Sequence, residues 1–427
     1  MMSHHRTILL TAVTVWTIGI AGPGRADAPD GRTATGPGSE TVDRAWAEAE
    51  AGTLRNHVQL TFADQFHKAG EPYFSPDGDR IIFQAIEPQA DVDEPEEIFT
   101  MYLADVLRDG DGRITGIDNI RQLSPEGSSN TCGWFDPHDR NIVYFASTLT
   151  PPAPGPRSGY DRESGRYTWA KPPEMRIFRC DLRRPAGSAS SLELIAGDTK
   201  AYQAEAALSP DGRHMVYCSL ETGDGDLYVK DLHTGRTVCA VRKPGYDGGP
   251  FFSPDGRRLC YRSDRNSNSR LQLFVADLEF DETGSVIGIE REYQLTDNEH
   301  VNFGPYWHCD GRHLIYATTE MGFRNFEVFI IDADRGDLPG STGSVKYGTR
   351  KRRITHAERA DVLPTLSHDG KTMIWTCQRG EDGRSQLWAA DLVIELDPRP
   401  EPGGQHPGGH PGAASGPASR RGAGHGG

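Results

Sequence analysis

One phrase recurs six times along this chain: an apolar pair, a polar turn close to Ser-Pro-Asp-Gly, then an apolar or aromatic run. It reads YFSPDGDRIIF from Tyr73, WFDPHDRNIVYF from Trp134 and ALSPDGRHMVY from Ala207. It returns as FFSPDGRRLCY from Phe251, YWHCDGRHLIY from Tyr306 and TLSHDGKTMIW from Thr365. A unit repeated at intervals of tens of residues cannot bury its apolar face alone and must stack on its copies. The turn chemistry makes each copy a hairpin. Proline presets φ, aspartate caps its own turn, and glycine takes the left-handed position. Each phrase therefore predicts two antiparallel strands, a and b.

A third strand, c, follows each hairpin: IFTMYLAD, RIFRCDL, DLYVKDL, LQLFVADL, FEVFIIDA and SQLWAADL. Their alternation suits half-buried strands. A fourth, d, ends in a short polar phrase: RQLS at Arg121, ELIAG at Glu193, VCAV at Val238, YQLT at Tyr293 and RRIT at Arg352. The sixth repeat has no such phrase, yet HVQLTF, residues 57–62, stands before the first hairpin with no repeat to join. The economical solution is an all-β, six-bladed β-propeller of four-stranded blades. The early strand completes the last blade and leaves only short protected edges. Successive turn positions Pro76, Pro137, Pro210, Pro254, Cys309 and His368 lie 61, 73, 44, 55 and 59 residues apart. The shortest interval approximates a bare blade and the excess is loop. Residues 57–397 are thus expected to form one domain.

The flanking segments differ in kind. Residues 1–26 read as a signal peptide: a basic start with Arg6, an apolar run over 7–21, and a small-x-small site at Gly24-Arg25-Ala26. That run is short for a bilayer span, so no membrane segment is expected once it is removed. Residues 27–56 read as linker plus a short helix capped by Thr41. Residues 398–427 lack Leu, Ile, Val and aromatics and are expected to be disordered. The formal net charge of −15 excludes the basic footprint that nucleic-acid binding requires. The expected product is an exported, periplasmic or extracellular monomer.

The phrases FFSPDGRRLCYRSDR, DLYVKDL and YQLT, in this order, resemble the TolB-like propeller repeat, over about residues 57–396. The same repeat type occurs in propellers attached to tricorn-like and prolyl-oligopeptidase-like peptidases. The resemblance implies an exported propeller used as a recognition platform. Neither the N-terminal domain of TolB proper nor a peptidase domain has an expected counterpart here, so envelope integrity is not implied.

Catalytic signatures are missing from the sequence: it holds no G-x-S-x-G, H-E-x-x-H or G-x-x-x-x-G-K-[ST]. Asp109-Gly110-Asp111-Gly112 lacks the spacing of a calcium loop and reads as a c–d turn. The seven cysteines are scattered over the blades, and most read as buried free thiols. His308, Cys309 and His313 occupy the a–b turn of blade five and read as turn residues, not metal ligands.

The d–a and b–c connections share one face, and the long insertions fall there. Residues 149–174 carry Tyr160, Tyr167 and Trp169. Blade four offers Arg262 and Arg265, and blade five offers Arg324. Aromatic and arginine side chains on loops of a rigid scaffold are the usual anchors of a binding face. Six residues before each turn serine, or its equivalent, stand Ala69, Asn130, Gln203, Asp247, Asn302 and Asp361, with Glu71 and Glu205 two residues further in. This pattern predicts a ring of oxygens at the channel mouth, able to hold a cation such as calcium or the basic end of a peptide. On that reading Asp247 and Asp361 repel each other, and replacing both by Asn spares the fold. No cofactor is expected. The function expected is non-catalytic recognition of a peptide, protein or envelope ligand. The alternative is a lyase or hydrolase acting on glycans or peptides at the channel mouth.

Overall fold

The computed structural model describes residues 45–396 apart from 90–97, 155–158, 162–165, 169–170, 186, 198–200, 267–269, 334–347 and 349. The described strands form six four-stranded antiparallel sheets arranged as a six-bladed propeller. Blade one runs Lys68–Phe74, Arg80–Ile86, Thr100–Arg108 and Ile114–Gln122, and blade two Asn130–Phe135, Ile142–Ser147, Arg176–Asp181 and Leu192–Ala196. Blade three runs Gln203–Leu208, His214–Ser219, Asp226–Asp231 and Thr237–Val241. Blade four is Asp247–Phe252, Arg258–Ser263, Gln272–Phe280 and Val286–Gln294. Blade five is Asn302–Trp307, His313–Thr318, Glu327–Asp332 and Lys351–Arg353. Blade six takes Asp361–Leu366, Thr372–Cys377 and Gln386–Leu392 as a, b and c, with Leu54–Gln59 as d.

Strand b sits between strands a and c and between neighbouring blades, so both of its faces are covered. In blades two, three, five and six every residue of it is buried. This explains why strand b reads as a continuous apolar run while the outer strands carry exposed positions. The a–b turns behave as their residues require. In blade one, Ser75 Oγ donates to Asp77 Oδ1 at 2.6 Å and accepts from the Arg80 amide at 2.9 Å, while Gly78 takes φ +73°. The same serine-to-aspartate bond recurs from Ser209, Ser253 and Ser367.

The hydroxyl that ends each Gln-Leu-Thr-like phrase caps strand c. Thr296 Oγ1 accepts from the Leu273 amide at 2.8 Å, Thr355 from Val328 at 2.8 Å and Ser124 from Met101 at 3.1 Å. Thr61, just after the strand that precedes the first blade, does the same for Leu387 at 2.9 Å. The displaced strand therefore reproduces the outer-strand chemistry of its counterparts, and the ring is closed as the sequence implies.

A short helix spans Ala45–Glu50, and Thr41, its expected cap, lies outside the described residues. The helix delivers Glu50, fully buried, to Arg379 in the b–c connection of blade six. Arg379 Nη1 donates to Glu50 Oε2 at 3.1 Å, and its Nη2 donates to Asp361 Oδ2 at 2.9 Å. The guanidinium lies 4.3 Å from the Trp46 ring, 5.0 Å from Trp375 and 5.7 Å from Trp388. The helix is thus tied into the closing blade by a buried acid–arginine–acid triad walled by indoles. The signal region and the C-terminal tail lie outside the described residues.

Candidate functional site

The innermost strand of every blade carries a bulge at the same place. Register breaks between Gly70 and Tyr73, Thr131 and Trp134, Ala204 and Ala207, Gly248 and Phe251, Phe303 and Tyr306, and Val362 and Thr365. Within each break one residue is left-handed: Glu71, Cys132, Glu205, Gly249, Gly304 and Leu363, with φ between +51° and +60°. A bulge bends its strand and re-aims the extra side chain. Here all six positions line one central cavity of about 360 Å³.

Two residues further on, strand a points Tyr73, Trp134, Phe251 and Tyr306 at the axis. Their ring centroids lie 5.1–6.4 Å apart, and opposite blades meet: Tyr73 with Phe251 at 5.8 Å, Trp134 with Tyr306 at 6.4 Å. Rings from opposite sides in contact leave no passage, so an aromatic floor closes the channel toward the turn face. The remaining two blades contribute Ala207 and Thr365 at this level, which leaves room for the four rings. The rim is built by Phe99, Ser129, Phe323 and Arg324 on the loop face.

Electrostatics divide the cavity wall. On one side Glu205 is fully engaged. Its Oε2 accepts from the Gly249 amide at 2.5 Å and from Arg262 Nη2 at 3.2 Å, and its Oε1 accepts from the Tyr246 hydroxyl. Arg262 also lies 4.5 Å from the Phe303 ring. A Cβ at 249 would fall on Arg262 Nη1, so a larger residue there would have to displace the guanidinium from Glu205. On the other side Glu71 accepts from the Tyr73 hydroxyl at 3.2 Å and the Thr131 hydroxyl at 3.3 Å. Burial pushes the Glu71 carboxyl above the usual carboxylate range, with the nearby Glu205 charge adding to it against Arg262 and the hydrogen bonds. Burial likewise raises the Cys132 thiol well above its usual value, with the Glu71 and Glu205 charges adding to it.

Of the residues singled out from sequence, Glu71, Glu205, Asn130, Arg262 and Arg324 line the cavity, while Gln203, Asp247, Asn302 and Asp361 do not. The expected convergence of Asn130, Asp247, Asn302 and Asp361 on one axis is therefore corrected. Each opens strand a and is buried, Asn130 alone of the four reaching the cavity wall, and each bonds to the surrounding chain. Asn130 Nδ2 donates to the Phe99 and Ser128 carbonyls, and Asn302 Nδ2 to Gln272 Oε1 and Asn298 Oδ1. Asp247 accepts from Arg265 at 3.1 Å, and Asp361 from Arg379 and from Trp375 Nε1 at 2.9 Å. The two aspartates thus sit against their own arginines, not against each other, and replacing them by Asn would leave Arg265 paired with Glu292 alone and Arg379 with Glu50 alone. Burial raises the Asp247 carboxyl to about 6, against the bonds from Ser263 and Arg265.

Arg262 belongs to strand b and not to a loop, and it points into the channel. Arg324 is exposed at the rim. Tyr160 lies in a small hairpin, Gly159–Asp161 with Arg166–Thr168, and Trp169 lies outside the described residues. His308 and His313 both bond Asp310 within their turn. Among the described cysteines Cys180, Cys218, Cys260 and Cys377 are buried free thiols, while Cys239 and Cys309 are exposed.

Sequence reasoning missed Cys132, Leu363 and the aromatic floor. A signal for the bulge was present: proline follows the left-handed residue in four blades, at Pro72, Pro250, Pro305 and Pro364. Proline lacks an amide donor and is tolerated in sheets at an edge or a bulge.

Six blades closed into a ring around a one-ended, aromatic-floored cavity define a β-propeller scaffold. Residues 198–347 match the family described as the TolB beta propeller domain. The chain is a six-bladed propeller, and over those residues it is similar to the repeat of this family. It is 32% identical over 136 residues to an uncharacterised protein of Agrobacterium fabrum, across 30% of this chain and 43% of that protein. It is 27% identical over 70 residues to the Tol-Pal system protein TolB of Francisella tularensis subsp. mediasiatica, 16% of each chain. The chain thus spans less than half the length of the curated relatives it matches. Among solved structures, TolB from Acinetobacter baumannii aligns with a TM-score of 0.45 at 18% identity, over 77% of this chain and 64% of that one. No described helix is long and apolar enough to cross a membrane.

Proposed function

We propose that this protein is an exported recognition propeller whose central cavity receives a projecting group of a peptide or protein ligand. The observation that carries this reading is the cavity itself. It is about 360 Å³, walled by six re-aimed residues, floored by aromatic rings and open toward the loops. Concave sites of this size, largely apolar with a few fixed polar groups, are where proteins hold ligands. The name of the Francisella relative, a Tol-Pal system protein, supports a protein partner. The leader-like residues 1–26 support export.

The test is capture of ligands from a peptide library by the purified chain, beside a Leu363→Trp variant that fills the cavity from a left-handed position already occupied by a large side chain. Capture is expected to vanish in the variant while its melting temperature stays within about 2 °C. Undiminished capture by Leu363→Trp would place the binding surface elsewhere. Turnover of a captured peptide or glycan would favour the enzymatic alternative.

A further inference from the structure

We infer that the cavity selects a primary ammonium group, seated against Glu71 above the aromatic floor. This rests on the reading of the cavity as a binding site and specifies its ligand chemistry.

The inference starts from an imbalance between the two acids of the bulge ring. Glu205 has a resident cation, Arg262, whose guanidinium is also held by the Tyr246 hydroxyl at 3.2 Å and the Phe303 ring. That half of the wall is electrically closed. Glu71 makes no ion pair among the described residues, and its side-chain donors are all neutral: the hydroxyls of Tyr73 and Thr131, at the long end of the hydrogen-bond range, and the Cys132 thiol. The other lining cations are accounted for: Lys68 lies 5.5 Å from the Phe99 ring, and Arg324 is exposed at the rim.

The fold does not require a carboxylate at position 71. Equivalent positions in other blades are occupied by Gly249, Gly304, Cys132 and Leu363. A left-handed non-glycine residue costs about 1–2 kcal/mol, and an acid in a half-closed cavity adds desolvation. Glu71 bears both costs without a paired counter-ion, since the Arg262 charge reaches it only from its pairing with Glu205. A ligand cation would supply one.

The surroundings suit an ammonium in size and chemistry. The aromatic rings below, Tyr73, Phe251 and Tyr306 backed by Trp134, present quadrupoles that attract cations. An ammonium carries three donors and no acceptor. Glu71 and the hydroxyl oxygens of Tyr73 and Thr131 are acceptors placed around one spot.

The groups facing Glu71 are Glu205, Arg262, Cys132, Tyr73 and Thr131. Its carboxyl titrates above the usual carboxylate range, so ammonium affinity should fall as pH drops through that raised value and be complete above it.

The experiment is calorimetry of the purified chain with four probes: n-butylammonium, n-butanol, a capped Gly-Lys-Gly tripeptide and its norleucine isostere. The result expected is at least tenfold tighter binding of each ammonium probe than of its neutral partner. That preference should be lost in Glu71→Gln, with no fall in melting temperature. Tighter binding of the lysyl peptide than of butylammonium would assign the ammonium to a polypeptide, and the reverse to a small free amine. Equal binding of charged and neutral probes would overturn the ammonium inference while leaving the cavity as a site. Binding unaffected by Glu71→Gln, or no binding of any ammonium probe, would also overturn it. Loss of library capture in Leu363→Trp, by contrast, reports on the cavity reading alone.

Discussion

Replacing Arg379 by methionine gives the sharpest test of how this ring is held shut. The guanidinium is 1% exposed and bridges Glu50 and Asp361, which are 0% and 1% exposed. Methionine fills much of the same volume between Trp46, Trp375 and Trp388 but removes the guanidinium that two buried carboxylates share, leaving Glu50 only His57 and the His356 amide. Breaking a buried pair by removing one partner costs about 3–5 kcal/mol. A value of about 4 kcal/mol is expected here, since two acids lose their shared cation while packing is partly kept. That is close to a thousandfold in the unfolding equilibrium. The assay is equilibrium urea unfolding followed by tryptophan fluorescence, which Trp46, Trp375 and Trp388 make sensitive to this site. The deficit should depend on pH. Burial pushes the Glu50 carboxyl up, but the bonds from His57, Arg379 and the His356 amide outweigh it and hold the group below its usual value. A depressed folded-state pKa contributes stability above the unfolded value of about 4.3 and loses it as pH falls through the folded value. The deficit of the Arg379→Met variant should therefore be full at pH 7 and narrow toward pH 4. The triple variant Glu50→Gln, Asp361→Asn, Arg379→Met should recover at least half of it. A single-variant loss below about 1 kcal/mol at pH 7 would refute the idea that the triad fastens the closing blade.

Deleting residues 54–62 should destabilise the whole propeller. The buried Leu54 and Leu60 alone are worth about 3–6 kcal/mol, and strand c of blade six loses its outer partner; an unchanged melting temperature would contradict a closed ring. Gly249→Ala should cost about 2–4 kcal/mol, since a Cβ would collide with Arg262 Nη1 at a left-handed position. Gly304→Ala should cost about 1–2 kcal/mol, because its nearest neighbour is a leucine methyl at 3.3 Å. Equal losses in urea unfolding would show that Arg262 does not set the difference.

The architecture was legible because each blade repeats its own turn chemistry. Ser75, Asp77 and Gly78 perform the roles that their types imply, and Thr61 announces an outer strand by the same phrase as Thr296. The site was legible only in part. Composition at the start of strand a pointed to acids and amides, but a strand presents alternate residues to opposite sides. One bulge decides which of them face the axis. Asp247 and Asp361 were therefore misplaced while Glu71 and Glu205, two residues on, were not. A pairing signal was nevertheless present. The two blades that open on aspartate also carry arginine eighteen residues later, at Arg265 and Arg379, and the structure joins both pairs. The aromatic floor depends on how rings from opposite blades meet, which no local pattern encodes.

That floor has a consequence for traffic through the molecule. A propeller with an open bore can be threaded, or approached from either end at once. With Tyr73, Trp134, Phe251 and Tyr306 meeting on the axis, entry and exit share one doorway. Occupancy is then exclusive: a second guest cannot push the first out from behind, and release must wait for the mouth to clear. A guest tethered to a larger body suits such a dead end, since only its tip has to enter and the body itself becomes the lid.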